Sequence, residues 1–199
     1  MPRRPSRAAG ALLVPLLALA LAACGGSEEE PAASSGTTAA GDAFPVTIEH
    51  TFGETTIEEA PERVVTIGFN EQDFALALGV TPVGVRENLG DYDATQRPWV
   101  VDLLPDEPLP TVGGEELDLE AIAALQPDLI LGIYSFIDES TYDLLSDIAP
   151  TIAESADYPT GGTPWQEQTR MTGQALGAED EADALVDDVE GQFAAAIAG

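Results

Sequence analysis

Hydrophobic and polar positions form two kinds of strand pattern along this chain. Two short alternating stretches, residues 46–48 and 55–57, flank Phe52-Gly53-Glu54 and predict a β-hairpin or edge pair. Continuous β-branched and aliphatic runs instead predict strands that are buried on both faces. These runs are residues 64–68, 82–85, 128–132 and 151–153.

Helices are predicted between and after these runs, where apolar residues recur at three- and four-residue spacing. Asn70, Asp118 and Ser140 are the predicted N-caps of the first three helices, and residues 163–166 are predicted to be a capping box. The last helix carries an apolar stripe at positions 182, 185, 186, 189, 193 and 197. Alternating strands and helices predict an α/β fold, a parallel-sheet lobe with helices on both faces and right-handed crossovers.

The first 43 residues predict export and anchoring rather than a folded domain. Three arginines precede an apolar stretch at residues 8–23, which is shorter than a membrane-spanning helix, so residues 1–23 are predicted to be a signal peptide. The sequence around Cys24 resembles a bacterial lipobox, which implies a lipid on that cysteine; the alternative is an ordinary signal peptide with an incidental cysteine. Residues 24–43 predict a disordered acidic tether. We therefore expect a protein anchored on the extracytoplasmic face of the cell membrane.

Charge and composition exclude several functional classes. The chain has 36 acidic residues against 7 basic ones, all arginine, and a formal net charge of −29. Nucleic-acid binding is therefore disfavoured, and lysine-dependent chemistry is excluded. A single histidine and a single cysteine exclude a metal site built on several such ligands. His50 precedes the predicted sheet and no G-x-S-x-G motif is present, so we expect no enzyme.

Candidate binding residues follow the predicted strands, because ligands of open parallel sheets lie beyond the carboxyl ends of the strands. They are Phe69, Asn70, Arg86, Trp99, Tyr134 and Phe136. This set suits a bulky, partly apolar ligand better than proton transfer. Plainer interpretations stay open: the phenylalanines would pack beneath loops, and Arg86 would form a surface ion pair. No metal bound directly by protein side chains is expected.

Longer motifs resemble the helical-backbone class of bacterial solute-binding proteins. Residues 63–68 and 75–85 are similar to its opening, and residues 112–114 followed by 117–132 are the most specific match. Residues 142–151 resemble the iron–siderophore branch. The resemblance extends from Phe44 to the C-terminus.

The resemblance implies two similar α/β lobes joined by one long helix. A ferric siderophore would lie between the lobes and pass to an ABC permease with its ATPase. Residues 44–177 would then form the N-terminal ligand-binding lobe and residues 178–199 the start of the inter-lobe helix, with the second lobe absent here. Glu120 would dock on the permease. Residues 114–116 lack the arginine that contacts the chelate in hydroxamate-binding relatives, so the siderophore class stays open.

Two other functions remain compatible with the sequence. The same architecture could bind haem or a cobalamin, with Tyr134 or another tyrosine on the iron, and a single-lobe adaptor could act through protein contacts alone. A receptor for first-row metal ions is disfavoured, because such sites favour imidazole and His50 is the only histidine. No covalent cofactor beside the lipid on Cys24 is expected. We expect this chain to fold but to bind its ligand weakly by itself.

Overall fold

The computed structural model describes residues 43–87 and 97–198. The predicted signal peptide, the predicted lipid attachment site Cys24 and all but the last residue of the predicted tether lie outside the described residues. Within the described ranges, no helix combines the length and apolar character that a bilayer crossing requires.

Six strands form two sheets in the described part of the chain. Strands β1 (Val46–His50) and β2 (Gly53–Ile57) pair antiparallel, which confirms the predicted hairpin. The main sheet is parallel and has the order β4-β3-β5-β6. Its strands are β3 (Val64–Thr66), β4 (Gly84–Val85), β5 (Leu129–Gly132) and β6 (Thr151–Ala153). A parallel sheet at the predicted runs confirms the predicted fold class.

Among the described residues, five helices accompany these strands. They are α1 (Glu71–Ala77), α2 (Leu119–Ala124), α3 (Glu139–Ser146), α4 (Trp165–Leu176) and α5 (Glu179–Ala198). Because successive strand residues point to opposite faces, β3 and β5 supply two separate cores. Val64 and Leu131 pack with Ala75 and Met171 on one face. On the other face, Ile130 and the two helices α2 and α3 form the second core, with Ile67, Ile122 and Leu145.

The predicted helix caps are partly correct. Asp118 caps α2 by accepting a hydrogen bond from the backbone N–H of Ala121 at 2.9 Å. Asn70 precedes α1 but makes no side-chain cap, because its amide donates to Gln168 Oε1 of α4 instead. The N-cap of α3 is Asp138 rather than Ser140, so that prediction is wrong by two residues.

The predicted capping box at residues 163–166 is also wrong. Pro164 is the N-cap of α4, one residue later than predicted, and so the Thr163 hydroxyl lies outside the helix. This hydroxyl is buried and has no hydrogen-bond partner among the described residues. The helix ends at Gly177, which adopts a left-handed φ of 68°.

Helices α2 and α3 each bury a narrow apolar face. Ile122 and Leu145 are buried, whereas Ala123 and Leu144 are exposed. Helix α5 buries Ala182 and Val186, and its apolar stripe continues to Phe193 and Ile197, which are exposed.

His50 has a structural position between the hairpin and the main sheet. Its Nδ1 accepts from the Phe52 N–H at 3.2 Å, and its Nε2 lies 2.9 Å from the Thr55 hydroxyl. Nε2 therefore carries the proton of the neutral ring, and Thr55 in turn donates to the carbonyl of Thr151 in β6. This chain of bonds joins the hairpin to the main sheet.

Candidate functional site

The carboxyl ends of β3, β4 and β5 meet at one edge of the sheet. The turns after β3 and β5 are joined directly, since the Phe69 N–H donates to the carbonyl of Tyr134 at 3.2 Å. This edge brings together four of the six candidate binding residues. They are Phe69, Arg86, Tyr134 and Phe136.

Three aromatic rings at this edge form a cluster that we call the aromatic platform: Phe69, Tyr134 and Phe136. The centroids of Tyr134 and Phe136 lie 4.8 Å apart in an edge-to-face arrangement, and those of Phe69 and Phe136 lie 6.1 Å apart. Phe136 is 50% exposed, so the platform offers an apolar face to solvent. Such a face suits contact with a bulky organic ligand.

A close backbone approach holds Phe136 in place. Its φ is 58°, a left-handed conformation that phenylalanine rarely adopts. Gly161, in the loop after β6, faces the ring so closely that a Cβ there would lie 2.4 Å from a ring carbon. The loops after β5 and β6 therefore fit together only because residue 161 has no side chain.

Arg86 packs against Phe69 of the aromatic platform and is buried. Its guanidinium carbon lies 4.3 Å from the centroid of Phe69, a cation–π distance. The side chain donates to four backbone carbonyls, those of Ile67, Gly114, Glu115 and Ser135. The surface ion pair considered above is therefore wrong. Four of the five N–H groups of Arg86 hold loops together, and its contact with an anionic ligand stays a prediction.

Trp99 and Asn70 occupy separate positions near α1. The indole N–H of Trp99 donates to Asp73 Oδ2 at 3.0 Å, and Arg97 contacts the same oxygen at 2.5 Å. The Trp99 ring is 64% exposed, and within the described part of the chain no ring contact joins it to the platform. The Asn70 amide is engaged by Gln168, so its candidate binding role stays a prediction.

Glu71 is a residue of this edge that the list of candidates missed. Its side chain is fully buried and accepts hydrogen bonds from the backbone N–H groups of Tyr134 and Asn70. Burial raises the pKa of its carboxyl to about 7, although these backbone N–H groups and the charge of Arg86 oppose the shift. The sequence feature that could have indicated this buried carboxyl is Gly68, three positions earlier, because its missing side chain leaves room for the carboxyl.

A groove of about 440 Å³ borders the platform on the side of α2 and α3. Its lining combines Arg86 and Phe136 with apolar and acidic side chains of the neighbouring loops and helices: Leu117, Leu119, Leu144, Glu115, Glu116 and Asp138. This volume is in the usual range for small-molecule sites. Within the described ranges, no group of three or more His, Cys, Asp or Glu residues is arranged to hold a metal ion.

Glu120 lies away from the platform, in the first turn of α2. It is exposed and follows the N-cap Asp118 by two residues. Its carboxylate is thus accessible to a partner, and its docking role stays a prediction.

Comparison with known proteins gives consistent matches over the folded part of the chain. Residues 65–198 match the sequence profile of the family described as periplasmic binding protein. The protein named probable siderophore-binding lipoprotein YfiY of Bacillus subtilis is 33% identical over 90% of this chain and 52% of its own length.

Solved structures agree with that match. A periplasmic solute binding protein of Mycobacterium smegmatis is 37% identical with a TM-score of 0.68, over 74% of this chain and 52% of that one. PiaA of Streptococcus pneumoniae in complex with ferrichrome is 32% identical with a TM-score of 0.62, over 75% of this chain and 50% of that one. The chain therefore spans about half the length of the relatives it matches.

Proposed function

Because this chain belongs to the periplasmic binding protein family, we propose that it supplies one ligand-binding lobe of an extracytoplasmic lipoprotein that captures a ferric siderophore. Residues 44–177 form this lobe, and α5 begins the helix that leads to a second lobe. The captured siderophore passes to an ABC permease and its ATPase. The observation that carries the proposal is the aromatic platform at the strand ends, with the cation of Arg86 against the ring of Phe69.

The platform suits the chemistry of a ferric chelate. A siderophore satisfies the coordination of its own iron, so the protein needs to contact an organic shell rather than the metal. Exposed aromatic faces contribute apolar contact, and the buried guanidinium contributes positive potential in an otherwise acidic chain. The names of YfiY and of the PiaA complex with ferrichrome support a siderophore in preference to haem or a cobalamin.

Anchoring and docking complete the proposal. The lipid on Cys24 holds the lobe at the membrane through the tether of residues 24–43, and YfiY is likewise named a lipoprotein. Glu120, exposed at the start of α2, contacts a basic side chain of the permease. The protein acts by binding and delivery, with no chemical conversion of its ligand.

A ligand panel tests the proposed function. The chain, purified in detergent, is titrated with ferrichrome, ferric citrate, haemin and cyanocobalamin while the heat of binding is recorded by isothermal titration calorimetry. We expect saturable changes with a ferric siderophore or ferric citrate and none with cyanocobalamin. Tighter binding of haemin, with a shifted Soret band, would replace the proposal with haem capture. No saturable change with any member of the panel would favour an adaptor.

A further inference from the structure

A buried carboxyl group joins the two turns that carry the aromatic platform. Glu71 begins α1, directly after the turn from β3, and its side chain has no exposed surface. One carboxyl oxygen accepts the N–H of Tyr134, in the turn after β5, and the other accepts the N–H of Asn70 at 3.3 Å. Tyr134 belongs to the platform, and Asn70 directly follows Phe69, which also belongs to it. Glu71 therefore connects the two turns that carry the platform.

Only an unusual local arrangement allows an acid at this position. A buried carboxylate is costly unless hydrogen bonds and charge compensate for its lost hydration. Gly68 supplies the space, because a Cβ on that residue would lie about 2 Å from the carboxyl atoms of Glu71. Arg86, at the end of β4, faces it as a positive charge, while the β5 side presents the backbone of Tyr134. Neutral Gln168 of α4 reaches this region through Asn70.

We propose that Glu71 is a positioning residue for the ligand-binding edge: its carboxylate fixes the turn of Tyr134 against the turn of Phe69, and thereby sets the geometry of the aromatic platform. The inference rests on the proposed function only in treating the platform as the ligand-binding face. Glu71 itself, fully buried, does not contact the ligand.

Protonation of Glu71 changes this arrangement. Each oxygen of the carboxylate accepts one backbone N–H bond. In the protonated acid, one of these two oxygens becomes a hydroxyl group. The pKa of about 7 puts this change within the neutral range. Within the folded lobe, the carboxylate should therefore hold the two turns together most firmly above pH 7, even though its desolvation makes the lobe as a whole less stable there, and ligand affinity should rise as the pH increases through the pKa of Glu71.

The direct test follows the backbone amide of Tyr134 by NMR during a pH titration of the whole chain. In the wild type we expect this resonance to shift with a midpoint near 7. In Glu71→Gln, an isosteric side chain without a titrating proton, the shift should disappear. Glu139→Gln removes an exposed first-turn acid from α3 and should leave the Tyr134 titration unchanged. A Tyr134 titration that persists in Glu71→Gln would overturn the inference.

A binding measurement extends the test to the ligand. Ferrichrome affinity of the wild type should rise roughly three- to tenfold across pH 7, the effect of one hydrogen bond, and should be flat in Glu71→Gln. Should ferrichrome fail to bind any variant, the proposed function loses support while the NMR result still decides the role of Glu71. If Glu71→Gln does not fold, Gly68→Ala is the second variant. Its methyl group should displace the carboxyl and shift the Tyr134 amide, and an unmoved amide there would likewise contradict the inference.

Discussion

The carboxyl group of Glu71 occupies the space that a side chain on residue 68 would need, and Gly68 has none. A Cβ built on Gly68 would lie 1.9 Å from one carboxyl oxygen and 2.0 Å from the other. Gly68 lies two residues after β3 and Glu71 begins α1, so one absent side chain permits a buried acid at the edge where the strands end. The relationship makes both residues sensitive to substitution for the same reason.

Gly68→Ala should destabilise the lobe by about 1–3 kcal/mol, the usual effect of forcing an extra methyl group into a packed site. Gly191→Ala is the matched control, because a Cβ there meets nothing within 4 Å on α5 and should be neutral or stabilising. Urea unfolding measures both free energies of unfolding. Equal effects of the two substitutions would show that the carboxyl of Glu71 can leave its site at no cost.

Much of the fold was predictable from the sequence, because burial on both faces produces continuous apolar runs such as residues 64–68 and 128–132. The rule that ligands lie at the carboxyl ends of parallel strands also brought Phe69, Tyr134 and Phe136 together correctly. The position of Glu71 was not predictable in the same way. An acid at the first position of a helix usually interacts with the helix dipole at the surface, and only its three-dimensional neighbours bury this one.

The errors in the caps have a local cause. Asp138 and Ser140 both have side chains that can cap a helix, and sequence preference alone does not choose between them. Proline is favoured at the first helical position, so Pro164 suggested that Thr163 would be the N-cap. The observed N-cap is Pro164 itself. The interaction of Asn70 with Gln168 joins residues that are 98 positions apart, and no local pattern encodes it.

Stability should depend on pH through Glu71. Its folded pKa of about 7 exceeds the ordinary value of 4.5, so the folded state binds more protons between these values. The stabilisation is complete below about pH 4.5 and is lost as the pH rises through 7. At about 1.4 kcal/mol per pKa unit, the wild type should lose roughly 3 kcal/mol relative to Glu71→Gln over this interval.

Urea unfolding of both proteins at several pH values checks this prediction, and the difference between them isolates Glu71. The comparison is needed because His50 acts in the opposite direction: burial lowers its pKa, so its stabilisation is present above its ordinary value and is lost as the pH falls. Parallel stability curves for wild type and Glu71→Gln would contradict the assignment.

Cys24→Ala should detach the protein from the membrane. Two acyl chains, at about 0.8 kcal/mol per buried methylene group, give stable attachment, and this substitution removes their site. Fractionation of cells should find the variant in the medium or as an unprocessed precursor. A processed variant that remains at the membrane would mean that another segment anchors the chain.

Glu120→Ala should reduce siderophore uptake in cells that carry the complete transporter, while the affinity for the ligand stays unchanged. The side chain is exposed and lies apart from the platform, so its loss removes only the contact proposed with the permease. Asp143→Ala, an exposed acid of α3, serves as the control for a general loss of surface charge. Equal uptake by Glu120→Ala and the wild type would remove the docking role.

The aromatic platform is the centre of this account, and one matched pair of variants tests it most directly. Phe136 and Phe193 are both exposed phenylalanines, 50% and 61% respectively, but only Phe136 belongs to the platform. Isothermal titration of ferrichrome or ferric citrate measures the affinities of the wild type, Phe136→Ala and Phe193→Ala. The two substitutions each remove one exposed phenyl ring. We predict that Phe136→Ala weakens binding about tenfold or more, in keeping with the loss of a large apolar contact, and that Phe193→Ala binds like the wild type. Equal affinities for all three proteins would contradict the claim that the platform receives the ferric ligand.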